Sequence, residues 1–169
     1  MKRRRVGGFS MIELLVAVLV MGIGVLGITG LQMVSLQNNR GALTRAEAVQ
    51  LSYDIIDRMR ANPGAVYTGL AIGAAPPAAN DCTAGVCTEA QMATFDRAVW
   101  KCSLGNWNTN ANCVPFRNGV ILPLATNQPG LPSGDGSIMV NAAGIVTITL
   151  QWQEANQPAV TTLSIDSRG

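Results

Sequence analysis

One carboxylate stands alone in an apolar stretch. Glu13 is followed by no charged residue from Leu14 to Asn39, and Leu14–Leu31 carries Thr29 as its only polar side chain. At the centre of a bilayer helix a carboxylate costs on the order of 2.5–3.5 kcal/mol, and less near an end. Glu13 therefore needs a partner, either the positive end of its own helix with interfacial water or a cation brought by another chain. The second chemistry-bearing set is Cys82, Cys87, Cys102 and Cys113. An even count in an oxidising compartment reads as two disulfides, whereas a four-thiolate zinc site wants closely spaced C-x-x-C-like pairs. Proximity alone favours Cys82 with Cys87 and Cys102 with Cys113, each worth roughly 2–3 kcal/mol through loop entropy. Ser133 and Gly134-Asp135-Gly136 look catalytic in isolation, but the prolines and glycines around them read as a turn. Trp100, Trp107 and Trp152 could stack on bases or sugars, although core packing is the commoner use. The 169 residues include no histidine, which removes Ser-His and Cys-His pairs, imidazole metal ligands and the most usual general base. The sequence thus leads us to expect no catalytic residue, no metal and no cofactor.

The elements that hold these residues follow from charge and hydropathy. The net charge is +2, but Lys2, Arg3, Arg4 and Arg5 form a terminal cluster; without the first eight residues, eight basic residues face ten acidic ones, a net of −2. That leaves no basic face to track phosphates, so no nucleic acid is expected as a partner. Eighteen residues from Leu14 to Leu31 with no polar face reach the length of a bilayer span. The basic cluster just upstream holds the N-terminus in the cytoplasm and sends the rest across. A secretory signal peptide would have a shorter apolar core followed by a small-residue cleavage site. Here the small residues Gly7 and Gly8 precede the apolar run, so cleavage there would leave the apolar helix on the mature chain.

The segment Gly8-Phe9-Ser10-Met11-Ile12-Glu13-Leu14-Leu15-Val16-Ala17 resembles the class III signal of type IV prepilins and pseudopilins. That signal is a short basic leader, a glycine, a hydrophobic aromatic residue and a glutamate fifth in the mature chain. The resemblance implies cleavage between Gly8 and Phe9 by a prepilin peptidase and N-methylation of Phe9. It also implies a subunit contact in which Glu13 pairs with the Phe9 amine of a neighbour. Such a pair is weak evidence of stability but can fix axial register between apolar helices. Gly22, Gly24, Gly27 and Gly30 include no GxxxG pair; they suit close backbone approach or a stretch that can unwind. Where major pilins often carry a proline in the stem, this chain has Gly30.

Residues 43–61 place Ala48, Leu51, Ile55 and Met59 on one helical stripe, widened by Val49 and Ile56. Asp54 and Arg58 form a supporting i,i+4 pair, and Asn62-Pro63-Gly64 ends the element. Residues 64–81, rich in Gly, Ala and Pro, read as a surface loop. Thr88-Glu89-Ala90-Gln91 fits a capping box opening a second helix, with Met92, Phe95, Val99 and Cys102 on one face and Gly105 as its stop. Alternation then changes to period two: Ile138 and Val140; Val146, Ile148, Leu150 and Trp152; Leu163 and Ile165. Asn141–Gly144 and Asn156–Pro158 are the turn signals between these strands. The expected fold is α+β, a long N-terminal membrane and stalk helix packed on a small antiparallel-sheet head, type IV pilin-like. Its expected divisions are a cleaved leader at 1–8, a helix at 9–61 (transmembrane to about 36, stalk 37–61) and a periplasmic head at 62–169.

The stalk end DRMRANP, the run CTEAQMATFDRAVWK and the strand GIVTITLQWQE are similar in order and wording to PilV-type minor pilins. That resemblance implies a structural subunit that helps initiate type IV pilus assembly in a priming or tip complex for twitching motility or adhesion. Its implied partners are the prepilin peptidase, other minor pilins and the major pilin, the inner-membrane assembly platform, a tip adhesin and the lipid bilayer. The implied location is the bacterial inner membrane as a single-pass protein, then the extracellular pilus. The alternative is a minor pseudopilin of a type II secretion system, which shares the leader, Phe9 and Glu13.

Overall fold

The computed structural model describes residues 8, 10–122, 130–154 and 157–168. The leader up to Gly7, Phe9 and Asn156 of the second turn signal lie outside the described residues. The chain divides into two compact units, Met1–Ala42 and Leu43–Gly169. The described part of the first unit is dominated by α1, which runs Met11–Ala61 and so extends into the second. Gly22, Gly24, Gly27 and Gly30 all lie within this helix, despite a cost of about 1 kcal/mol each relative to alanine. A Cβ built at any of the four meets nothing within 4 Å. No described residue therefore makes the close approach that glycine permits at these four positions.

The second unit is a layer of helix on sheet. From Leu43 onward, α1 buries Ala48, Ser52, Ile55 and Ile56, with Leu51 and Met59 packed at the edge of the same cluster. The stripe differs from its expected course at one position: Val49 is 38% exposed and Ser52 is buried instead. Ser52 stands one turn beyond Ala48 on the covered face, and its hydroxyl donates to the Ala48 carbonyl at 2.9 Å. Bonding within the helix satisfies its polar group, so the core tolerates the serine. Asn62 ends the helix, its N–H bonding to the Met59 carbonyl and its side-chain amide donating to the Glu89 carbonyl at 2.9 Å.

Helix α2, Glu89–Ser103, opens with the predicted capping box. The Thr88 hydroxyl accepts from the Gln91 N–H, and the Gln91 carboxamide oxygen accepts from the Thr88 N–H at 2.9 Å. At its far end Gly105 has φ of 119°, and a Cβ there would collide with the Leu131 carbonyl. Glycine is thus required by both conformation and space. The residues called a surface loop, 64–81, are a correction. Tyr67, Leu70 and Pro76 are buried, and Leu70 pairs in an isolated bridge with Ile138. Loop composition had concealed three residues large enough to fill core space.

Strands β1 (Asp135–Val140), β2 (Ile145–Gln153) and β3 (Val160–Arg168) form an antiparallel sheet in that order. The turn between β1 and β2 is built by Asn141, whose side-chain oxygen accepts from Ala143 and Ile145, with Gly144 at φ 74°. Along β2 the inward side chains are Val146, Ile148, Leu150 and Trp152, all buried. They meet Ala48, Ile55 and Ile56 of α1 and Trp100 of α2 in one cluster. Trp100 is fully buried and its indole N–H donates to the Leu51 carbonyl at 2.8 Å, tying α2 to α1. A second cluster gathers Phe95, Val99, Phe116 and the Cys102–Cys113 disulfide, with Phe95 and Phe116 edge-to-face at 5.5 Å between centroids.

Candidate assembly segment

The N-terminal segment of α1 is the candidate site, and its chemistry is set by what it lacks. The first helical bonds run from the N–H groups of Glu13 and Leu14 to the Ser10 carbonyl, at 3.0 and 3.3 Å. Glu13 therefore sits in the first turn of the helix, where the partial positive charge of unpaired N–H groups favours a carboxylate. Every described residue from Ser10 to Arg40 is exposed. Large apolar side chains make up most of this surface, Leu26 and Leu31 both standing 74% exposed. No described residue of the first unit buries them. Among the described residues, α1 is the one helix long and apolar enough to cross a membrane. Thr29 donates its hydroxyl to the Val25 carbonyl at 2.8 Å, which removes its polar group from competition with lipid. The arrangement suits insertion into a bilayer and lateral packing against other apolar helices.

The sequence-predicted positions are distributed as follows. Gly8 is exposed, Phe9 lies outside the described residues, and Glu13 projects from the exposed first turn. The cysteines are joined as Cys82–Cys87 and Cys102–Cys113, with Cα separations of 5.6 and 5.5 Å. The first bond closes a six-residue ring whose Val86 is fully exposed, while both sulfur-bearing residues of the second are buried.

The turn expected over Ser133 to Gly136 needs correction. The turn falls at Pro132 and Ser133, whereas Asp135 and Gly136 begin β1. Asp135 is buried beside a buried Lys101, and the two form an ion pair. Lys101 also donates to the carbonyls of Ala71 and Gly136, at 2.9 and 2.6 Å. Asp135 accepts from the N–H groups of Gly73 and Gly136, both at 2.7 Å, and from the Trp107 indole at 3.1 Å. Burial pushes the Lys101 ammonium below the ordinary lysine value, against the pull of Asp135. Burial also opposes ionisation of Asp135, yet its converging donors hold the carboxyl below the usual carboxylate range. All partners are committed to one another, so the cluster fastens the end of α2 to the start of β1.

A second network extends the one pair that the sequence predicts. Arg58 bonds Asp54 at 3.0 Å, the predicted pair, and Asp96 of α2 at 3.1 Å. Tyr67 donates to Asp96 at 2.6 Å. Burial, then the bond to Asp96, pushes the Tyr67 phenol up to about 12. The one clue in the sequence was a lysine, Lys101, set among the apolar residues Ala98, Val99, Trp100 and Cys102 of α2. Among the described residues no cluster of cysteine and acidic side chains could hold a metal ion.

Two family models match the chain. Residues 3–29 match the Prokaryotic N-terminal methylation motif, and residues 30–98 match the family described as Type IV pilin Tt1218. The matches support a type IV pilin. No curated protein and no solved structure matches. Type IV pilins are structural subunits, and the methylation motif with the exposed apolar helix of this chain fits membrane anchoring and incorporation into a filament. The methylation motif implies processing by a prepilin peptidase, and the pilin family implies assembly with other pilins. The fold agrees: a long apolar N-terminal helix and a three-stranded antiparallel sheet in an α+β arrangement.

Proposed function

We propose that this chain is a minor pilin that helps initiate type IV pilus assembly in a priming or tip complex. In this reading residues 1–8 are a leader, the peptidase cuts between Gly8 and Phe9, and the new Phe9 amine is methylated. The apolar part of α1 holds the subunit in the inner membrane with the unit from Leu43 onward in the periplasm. Assembly partners are other minor pilins, the major pilin, the membrane platform and a tip adhesin. The observation that carries the reading is the exposed apolar face of α1 with a single carboxylate, Glu13, in its first turn. Such helices can pack on one another by van der Waals contact in a bundle whose register is set by one charge pair, Glu13 with the Phe9 amine of a neighbour.

The test is a deletion strain complemented with the wild-type chain or with Glu13→Ala. The reading expects loss of surface pili and twitching on deletion, rescue by wild type, and failure of Glu13→Ala to rescue while the protein still accumulates in the membrane. Normal piliation with impaired protein secretion would instead assign the chain to a type II secretion pseudopilus.

A further inference from the structure

The sheet has one edge that no described residue occupies. Strand β1 is bridged from outside, the Ile138 N–H donating to the Leu70 carbonyl at 2.8 Å. That bond fixes the hydrogen-bonding phase of the whole sheet, because the backbone groups of a residue in an antiparallel strand point to one side only. Ile138 points away from β2, so its partner Ile148 points to β3, and Ile165, opposite Ile148, points back to β2. The Gln153 N–H bonds the Pro132 carbonyl on the β1 side, in the alternate phase this requires. It follows that Val160, Thr162, Ser164, Asp166 and Arg168 turn their N–H and C=O groups to the open edge. This row spans nine residues with no proline and no bulge in its register, the form in which an edge strand templates further pairing.

The side chains along the edge favour one class of occupant. Leu163 and Ile165 face the core yet remain only partly buried. At the end of β3 a small apolar groove opens between Ile56 and Met59 of α1 and Val146 of β2, bordered by Arg168 and by Arg60, which also pairs with Asp57 at 3.2 Å. An added strand would cover the two half-buried residues, set apolar side chains over the groove and bring its end beside two guanidinium groups. A second copy fits poorly. Antiparallel pairing of β3 with itself about Ser164 would set Val160, not a carboxylate, opposite Arg168.

We infer that the outer edge of β3 receives an extended segment of a different protein by strand addition, apolar at alternate positions and carrying carboxylates where it reaches Arg60 and Arg168. The inference does not depend on the pilus reading.

The test uses the full chain in detergent micelles. The probe is a nine-residue peptide of alternating valine and threonine closed by two aspartates. Saturating peptide is expected to slow amide exchange at Thr162, Ser164 and Asp166 by about tenfold or more, with Leu163 and Ile165 little changed because β2 already protects them. Methylating alternate amides of the peptide should abolish the effect, and replacing its aspartates by lysines should weaken binding by about tenfold. Ser164→Pro should block the effect too, since it removes an outward N–H and leaves the β2 ladder whole. Unchanged exchange at the three edge amides would overturn the proposal. So would edge amides already protected in the free protein, or protection that rises with protein concentration alone, which would mean a second copy.

Discussion

Lys101 and Asp135 face each other in the core, joining the last turn of α2 to the first residue of β1. Both are almost wholly withdrawn from water, and each is satisfied by backbone groups as well as by its partner. Removing one charge strands the other. Asp135→Leu or Lys101→Met alone should destabilise the chain by about 3–5 kcal/mol, while the two changes together should cost clearly less than the single losses summed. Urea unfolding of the four proteins closes the cycle, and strict additivity would mean that the two charges do not act as a pair.

The same pair makes stability depend on acid. The Asp135 carboxyl is held below its unfolded value, so its contribution is complete above about pH 4 and is lost as pH falls through the lowered folded value. Lys101 acts in the alkaline range. Its folded value also lies below the unfolded one, so stability rises with pH between the two. Unfolding midpoints from pH 2 to 7 should drop steeply at the acid end in wild type and much less in Asp135→Asn.

Tyr67 predicts the alkaline limit. Its phenol is pushed up to about 12, while the unfolded chain loses that proton near 10. The folded state therefore holds a proton that the unfolded state has released, and stability present below about pH 10 is lost as pH rises towards 12. Tyr67→Phe should flatten this loss. At neutral pH it should cost about 1.5–3 kcal/mol for the charge-assisted bond to Asp96. Unfolding followed from pH 8 to 12 measures both effects.

The two disulfides should differ in consequence. By loop entropy each is worth about 2–3 kcal/mol, but Cys102 and Cys113 are also core residues in contact with Phe95 and Phe116. Replacing Cys102 and Cys113 by alanine should lower the unfolding midpoint more than the same change at Cys82 and Cys87. Equal losses would show that packing around the buried bond contributes nothing.

Much of this architecture was legible because its signals are local. Thr88 and Gln91 announced a helix start through a reciprocal bond over three residues, and the alternation from Val146 to Trp152 needed only a period of two. The cysteines lie close enough in sequence that proximity named the bonds the structure contains. The readings that changed depend on partners distant in sequence. Nothing near Asp135 reveals that Lys101 will meet it, so Gly134-Asp135-Gly136 looked like a turn. Tyr67 and Leu70 were hidden in loop composition because α2 and β1 create their burial. Ser52 replaced Val49 in the covered stripe because a serine can satisfy itself on its own helix, which a count of apolar residues does not register.

The central claim is that the apolar part of α1 stays on the mature protein and is its means of assembly. Intact mass of the protein purified from the membrane or from sheared filaments tests it most directly. The account predicts a chain that begins at Phe9, carries one added methyl group and has all four thiols oxidised. A chain that begins beyond residue 30, or one that still carries Met1, would contradict it.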